Sequence, residues 1–87
     1  MKDLELAKKI VPALGGQENI VRAHNCLTRL RTTVKEPLFV KINELENIDG
    51  VKGVVVEGSD VHVVLGAGTA KKVTDEVIRI FDVPRKS

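Results

Sequence analysis

The sequence predicts an α+β fold, a two-layer sandwich in the order α-β-β-α-β-β-α, with a four-stranded antiparallel sheet carrying its helices on one face. Three observations predict it. Two pairs of short strand-like runs are each joined by a few turn residues, which reads as two hairpins. Segments with apolar residues at three- and four-residue steps precede, separate and follow those hairpins. At 87 residues the chain supports one core and not two, so helices and hairpins must share it. One domain is expected over residues 1–87, with its core over about 4–81.

The elements follow in order. From Asp3 to Leu14, the residues Leu6, Ala7, Ile10, Val11 and Leu14 mark one face of an amphipathic helix, with Asp3 as its N-cap. Pro12 removes a helical hydrogen bond and predicts a bend or tightening near Val11, and Gly15-Gly16 supplies the stop. Ile20 to Asn25 and Thr28 to Lys35 read as strands of a hairpin with Cys26 near its tip. In the second strand Leu30, Thr32 and Val34 share one face, and Arg29, Arg31 and Thr33 share the other. A weaker helical pattern uses Val40, Leu45 and Ile48. The runs Val54 to Glu57 and Val61 to Leu65 flank Gly58-Ser59-Asp60 as the second hairpin. Gly66-Ala67-Gly68-Thr69 turns into a last helix with the stripe Ala70, Val73, Val77, Ile80 and Phe81. Pro84 ends it, and Arg85-Lys86-Ser87 is expected to fray.

Composition narrows the function. Apolar residues make up 43% and charged residues 30%, ordinary for a soluble domain, and the net charge of +2 is a weak bias. With no Trp, no Tyr and only two Phe, there is no aromatic platform for stacking bases, which argues against a nucleic-acid partner. The apolar runs fall far short of the ~20 residues of a membrane helix, and no signal peptide is visible. Direct membrane insertion is therefore not expected. The single cysteine fits a reducing cytoplasm.

That cysteine, Cys26, stands in Cys26-Leu27-Thr28-Arg29-Leu30-Arg31. A lone thiol makes no internal disulfide, so packing, nucleophilic chemistry and an intermolecular bond remain. Free cysteines are often buried as small hydrophobes. Here the hairpin-tip position and two arginines favour chemistry. Cations beside a thiol favour its anionic form, and guanidinium groups offer forked donors to phosphate oxygens. The backbone N–H groups of Leu27, Thr28 and Arg29 suit a small anion nest if the turn points them inward, and Thr28 adds a hydroxyl. The set suits a phosphoryl group on sulfur.

A protein tyrosine phosphatase also pairs cysteine with arginine, but with the arginine six positions on, where this chain has Thr32. Its loop runs from strand into helix, whereas this one runs from strand to strand. His24 lies two residues before Cys26 and reads as a polar strand-end residue, Asn25 as a turn residue, and His62 as remote in sequence. No zinc site is completed, and no metal or cofactor is expected. Gly66-Ala67-Gly68 lacks the third glycine, the lysine and the parallel context of a nucleotide loop, and reads as a turn. Lys8, Lys9, Lys71 and Lys72 read as solvated.

The segment C-L-T-R-L-R, preceded by G-G-Q-E-N-I and followed by G-V-K-G-V-V-V, resembles the IIB domain of the glucose superfamily of bacterial sugar phosphotransferase systems. The resemblance covers roughly Leu4 to Phe81. It implies an antiparallel four-stranded α/β sandwich and a relay. Cys26 accepts a phosphoryl group from a phosphohistidine of a IIA domain and passes it to a sugar held by the membrane-embedded IIC domain. It further implies that Arg29 and Arg31 bind the phosphoryl oxygens, and that Thr28 and the amide of Leu27 help hold them. The implied enzyme is a protein-phosphocysteine–sugar phosphotransferase, monomeric as an isolated domain and placed at the cytoplasmic face of the membrane by IIC. The alternative of another class is a IIB-like regulatory or interaction module that moves no sugar.

Overall fold

A computed structural model describes residues 2–85. The elements are α1 (Lys2–Ala13), β1 (Ile20–Cys26), β2 (Arg29–Val34), α2 (Ile42–Glu46), β3 (Gly53–Glu57), β4 (Asp60–Val64) and α3 (Ala67–Phe81), with short 3₁₀ turns at Gln17–Asn19 and Pro37–Phe39. The strands form one antiparallel sheet in the order β1-β2-β4-β3. α1 packs on α3, α3 on β1 and β2, and α2 on α1 and β3, which places the helices on one side. The expected α+β sandwich and its element order are present.

α1 shows how the helix ends are set. Asp3 lies inside the first turn rather than capping it, because Lys2 is already helical. The helix runs through Pro12, which is exposed, to Ala13. It closes with Gly16 N–H bonded to the Val11 carbonyl at 2.9 Å and Gly15 N–H to the Pro12 carbonyl at 3.0 Å. This is the Schellman arrangement, and Gly15 sits at φ +102° as it requires. A Cβ on Gly15 would fall 2.6 Å from Asn19 Nδ2, so the position needs glycine for space as well as for backbone freedom.

Asn19, buried and not anticipated from sequence, ties this corner together. It donates to the carbonyls of Leu14 and Glu36 and accepts from the Glu36 N–H. One side chain thus joins the end of α1 to the end of β2.

The buried apolar side chains form one cluster. It takes Ile10, Val11 and Leu14 from the first helix and its cap, Leu30 and Val34 from β2, Val61 and Val63 from β4, and Ala70, Val73 and Val77 from α3. The apolar positions expected around α2 hold, with Val40 and Leu45 buried and Ile48 partly so, over a helix of five residues. Three further expectations need correction. α3 begins at Ala67, so Gly68 and Thr69 belong to its first turn. Ile80 is 41% exposed and lies off the buried stripe, where Thr74 takes a fully buried place. Arg85 is not frayed: it pairs with Ala23 in a parallel bridge and ion-pairs with Asp75. Lys86 and Ser87, expected to fray with it, lie outside the described residues.

Candidate functional site

The open face of the sheet is a grid set by strand register. Residues directly opposite one another in neighbouring strands share a face. Cys26, Arg29, Val64 and Gly53 form one row, and His24, Arg31, His62 and Val55 the next. Arg22, Thr33, Asp60 and Glu57 form the third. Leu30, Thr32 and Val34 point the other way, into the core. The alternation expected for β2 therefore holds, and it brings Cys26, Arg29 and Arg31 together on the open face.

Cys26 is exposed and is the last residue of β1, paired with Arg29 across the two-residue turn Leu27-Thr28. Leu27 adopts φ +52°, in the left-handed region, and is 85% exposed. The Thr28 carbonyl accepts two N–H groups, from Leu65 at 2.9 Å and Gly66 at 3.0 Å. These bonds fasten the turn to the junction of β4 and α3. The tip that carries the thiol is thus held at its base while its side chains stay in solvent.

The two arginines differ. Arg29 is exposed and makes no side-chain hydrogen bond or ion pair among the described residues. Arg31 is half-buried and donates its Nε–H to Nε2 of His62 at 3.1 Å. His62 is remote from Arg31 in sequence. The pairing of β2 with β4 puts it directly opposite Arg31, a proximity that depends on sheet order and not on the hairpins. The available signal was the alternation of β4, where Val61 and Val63 turn inward and leave His62 on the open face. Burial, then the Arg31 and Arg29 cations, hold the His62 pKa below the ordinary 6.5, against the opposite pull of Asp60 and Glu57. His24 lies on the other side of Arg31 in the same row.

Cys26 and Arg29 lie on an open surface, with Arg31 half-buried beside them. A groove of about 480 Å³ is bounded by the start of α1, the 49–52 loop and the start of α3, and one of about 530 Å³ by the end of α1 and the Pro37–Phe39 turn. Neither includes Cys26, Leu27, Thr28, Arg29 or Arg31. Among the described residues no group of three or more His, Cys, Asp or Glu side chains is placed to hold a metal ion. No helix among them is long and apolar enough to cross a membrane.

Comparison with known proteins places this geometry. A family model described as phosphotransferase system, EIIB matches residues 8–38, the stretch holding Cys26, Arg29 and Arg31. The crystal structure of one domain of the phosphotransferase-system IIABC component from Clostridium difficile superimposes with a TM-score of 0.90 and 30% identity. That match covers 99% of this chain and 88% of the other. The chain belongs to the EIIB family of the phosphotransferase system. The sucrose-specific EIIBC component of Bacillus subtilis is 35% identical over 82 residues, 94% of this EIIB chain and 18% of that protein. The MurNAc-GlcNAc-specific EIIBC component of Staphylococcus aureus is 39% identical over 82 residues, 94% of this chain and 17% of that protein. The EIIB chain thus spans less than a fifth of the length of these two relatives.

Proposed function

We propose that this EIIB chain is a phosphoryl carrier of a sugar phosphotransferase system, acting through Cys26 as a single domain over residues 1–87. The observation that carries the reading is the placement of Cys26 directly opposite Arg29, with Arg31 on the same face one row away, in a chain of this family. In the first step the Cys26 sulfur forms a bond to phosphorus while the N–P bond of a IIA phosphohistidine breaks. The electron pair returns to the imidazole nitrogen, which takes up the proton the thiol gives up. In the second step a sugar hydroxyl oxygen on a IIC domain forms the O–P bond as the S–P bond breaks. The sulfur leaves with the electron pair, and the hydroxyl proton is released to a base or to solvent.

The side chains divide the work. Arg29 and Arg31 bind the phosphoryl oxygens through their forked donors. The amide of Leu27 and the hydroxyl of Thr28 complete the cradle. Phosphoryl transfer depends mainly on positioning and on stabilising charge, and an open sheet face offers both to a donor and an acceptor that dock in turn. The EIIBC names of two relatives support a IIC partner, which would set the domain at the cytoplasmic face of the membrane. The sugar is chosen by that partner.

The test is intact mass after incubation with phosphoenolpyruvate, the general phosphotransfer proteins and a panel of IIA domains. A gain of one phosphoryl group that disappears in Cys26→Ser is the expected result. No gain with any IIA domain overturns the carrier and favours a regulatory module of the same fold.

A further inference from the structure

Among the described residues, His62 is the one on the open face that is buried. It is 5% exposed, among neighbours that are half-buried or exposed. Its Nε2 accepts the Arg31 Nε–H at 3.1 Å, so the ring proton sits on Nδ1. Nδ1 is buried and has no hydrogen-bond partner among the described residues. It belongs to a residue lining a small cavity of about 80 Å³, together with His24, Arg31, Thr32, Thr33 and Asp60. Only a neutral imidazole can accept from a guanidinium, because the charged ring carries N–H on both nitrogens.

We propose that His62 is a positioning residue for Arg31: by taking the Nε–H, it turns the guanidinium so that its terminal amino groups face a phosphoryl group on Cys26. The role rests on the carrier reading above. It divides the two arginines into one held in place and one free in solvent. Arg31 keeps a fixed aim through both transfers, while Arg29 follows the group as it moves.

The surroundings keep the ring in its accepting form near neutral pH. Burial, followed by Arg31 and Arg29 on β2, disfavours the charged ring; Asp60 on β4 and Glu57 on β3 favour it. His24 on β1 lies beyond Arg31 in the same row. Once protonated, His62 loses its acceptor and sets a cation against Arg31. Phosphoryl uptake then falls on the acid side.

The test follows phosphoryl uptake by the wild-type, His62→Gln and His62→Leu chains from a charged IIA domain, between about pH 5 and pH 8. The glutamine oxygen can accept the same N–H and does not titrate; leucine offers no acceptor. His62→Leu is expected to take the group about tenfold more slowly at neutral pH, and His62→Gln to stay within about twofold of wild type. On acidification the wild-type rate drops relative to His62→Gln.

Proton–nitrogen NMR gives a readout independent of transfer. It is expected to show the Nδ1–H tautomer of His62 and an Arg31 Nε–H slow to exchange with water in the wild type. If His62→Leu does not fold, the pH comparison with His62→Gln and the wild-type Arg31 signal decide. Equal pH profiles in wild type and His62→Gln, or a fast-exchanging wild-type Nε–H, overturn the positioning role and leave the carrier standing. A wild-type chain that gains no phosphoryl mass overturns the carrier, and the positioning role with it.

Discussion

The two hairpins of this sheet share one turn design and put it to different use. In each, two residues join the strands and the first of them has positive φ: +52° at Leu27 and +60° at Gly58. The strand residues flanking the first turn are Cys26 and Arg29, a nucleophile and a cation; those flanking the second are Glu57 and Asp60, two acids. The register sets the tips at opposite ends of the sheet, since Arg29 pairs with Val64 and Thr33 with Asp60. Gly58 meets the left-handed geometry without a steric cost, and a Cβ there would touch nothing within 4 Å. Leu27 adopts the same region at a cost of about 1–2 kcal/mol, while its side chain is 85% exposed and contributes little to the core. Strain held without a packing return fits the role proposed for the first turn.

The largest expected contrast lies between residues at matching places. Cys26→Ser abolishes the phosphoryl mass gain, whereas Glu57→Ala at the other tip leaves it intact; loss in both would show that the two ends are not separate. Arg29→Lys keeps the charge and loses the fork, and transfer is expected to slow about tenfold in a single-turnover assay. Asp60→Asn on the opposite tip should leave the rate within about twofold.

Stability measurements sharpen the comparison further. Gly58→Leu is expected to lower unfolding free energy by about 1–2 kcal/mol in denaturant titrations. Leu27→Gly should raise it by about 0.5–1 kcal/mol, the relief of strain less the added freedom of the unfolded chain. If Leu27→Gly instead destabilises the fold, the strain assigned to the first turn is wrong.

The smallest effect concerns His62. Its folded pKa lies below 6.5, so the unfolded chain binds the more protons as pH falls through that value. Its contribution is therefore fully present above about pH 6.5 and is lost progressively below it. The melting temperature of wild type should fall more on acidification than that of His62→Gln, and parallel curves would contradict this.

Much of this molecule is legible in local patterns. Alternation in β2 separates Leu30, Thr32 and Val34 from Arg29 and Arg31, and the structure keeps that separation because one face of the sheet must be buried. The spacing of Cys26, Thr28, Arg29 and Arg31 needs only one hairpin to become a shared face. What was not legible depends on contacts between distant segments. His62 reaches Arg31 only because β4 pairs with β2, and either order of the two hairpins satisfies the same local signals. Asn19 has no local signal for its role, which arises only where the ends of α1 and β2 meet over it. Arg85 looks like a loose tail because neither its bridge to Ala23 nor its ion pair with Asp75 has a sequence signature.

That tail carries a last implication. β1 is an edge strand, and its outer backbone groups would ordinarily be open to a strand from another chain. The Ala23 N–H is instead bonded to the Pro84 carbonyl at 2.9 Å, and Arg85 continues the pairing in parallel. The chain thus covers the middle of the outer border of the strand that bears the thiol. In the proposed relay a docking domain would meet guanidinium groups, a thiol and a strained turn there rather than an unfinished ladder. Recognition would then rest on side chains, and release would not require unzipping a sheet.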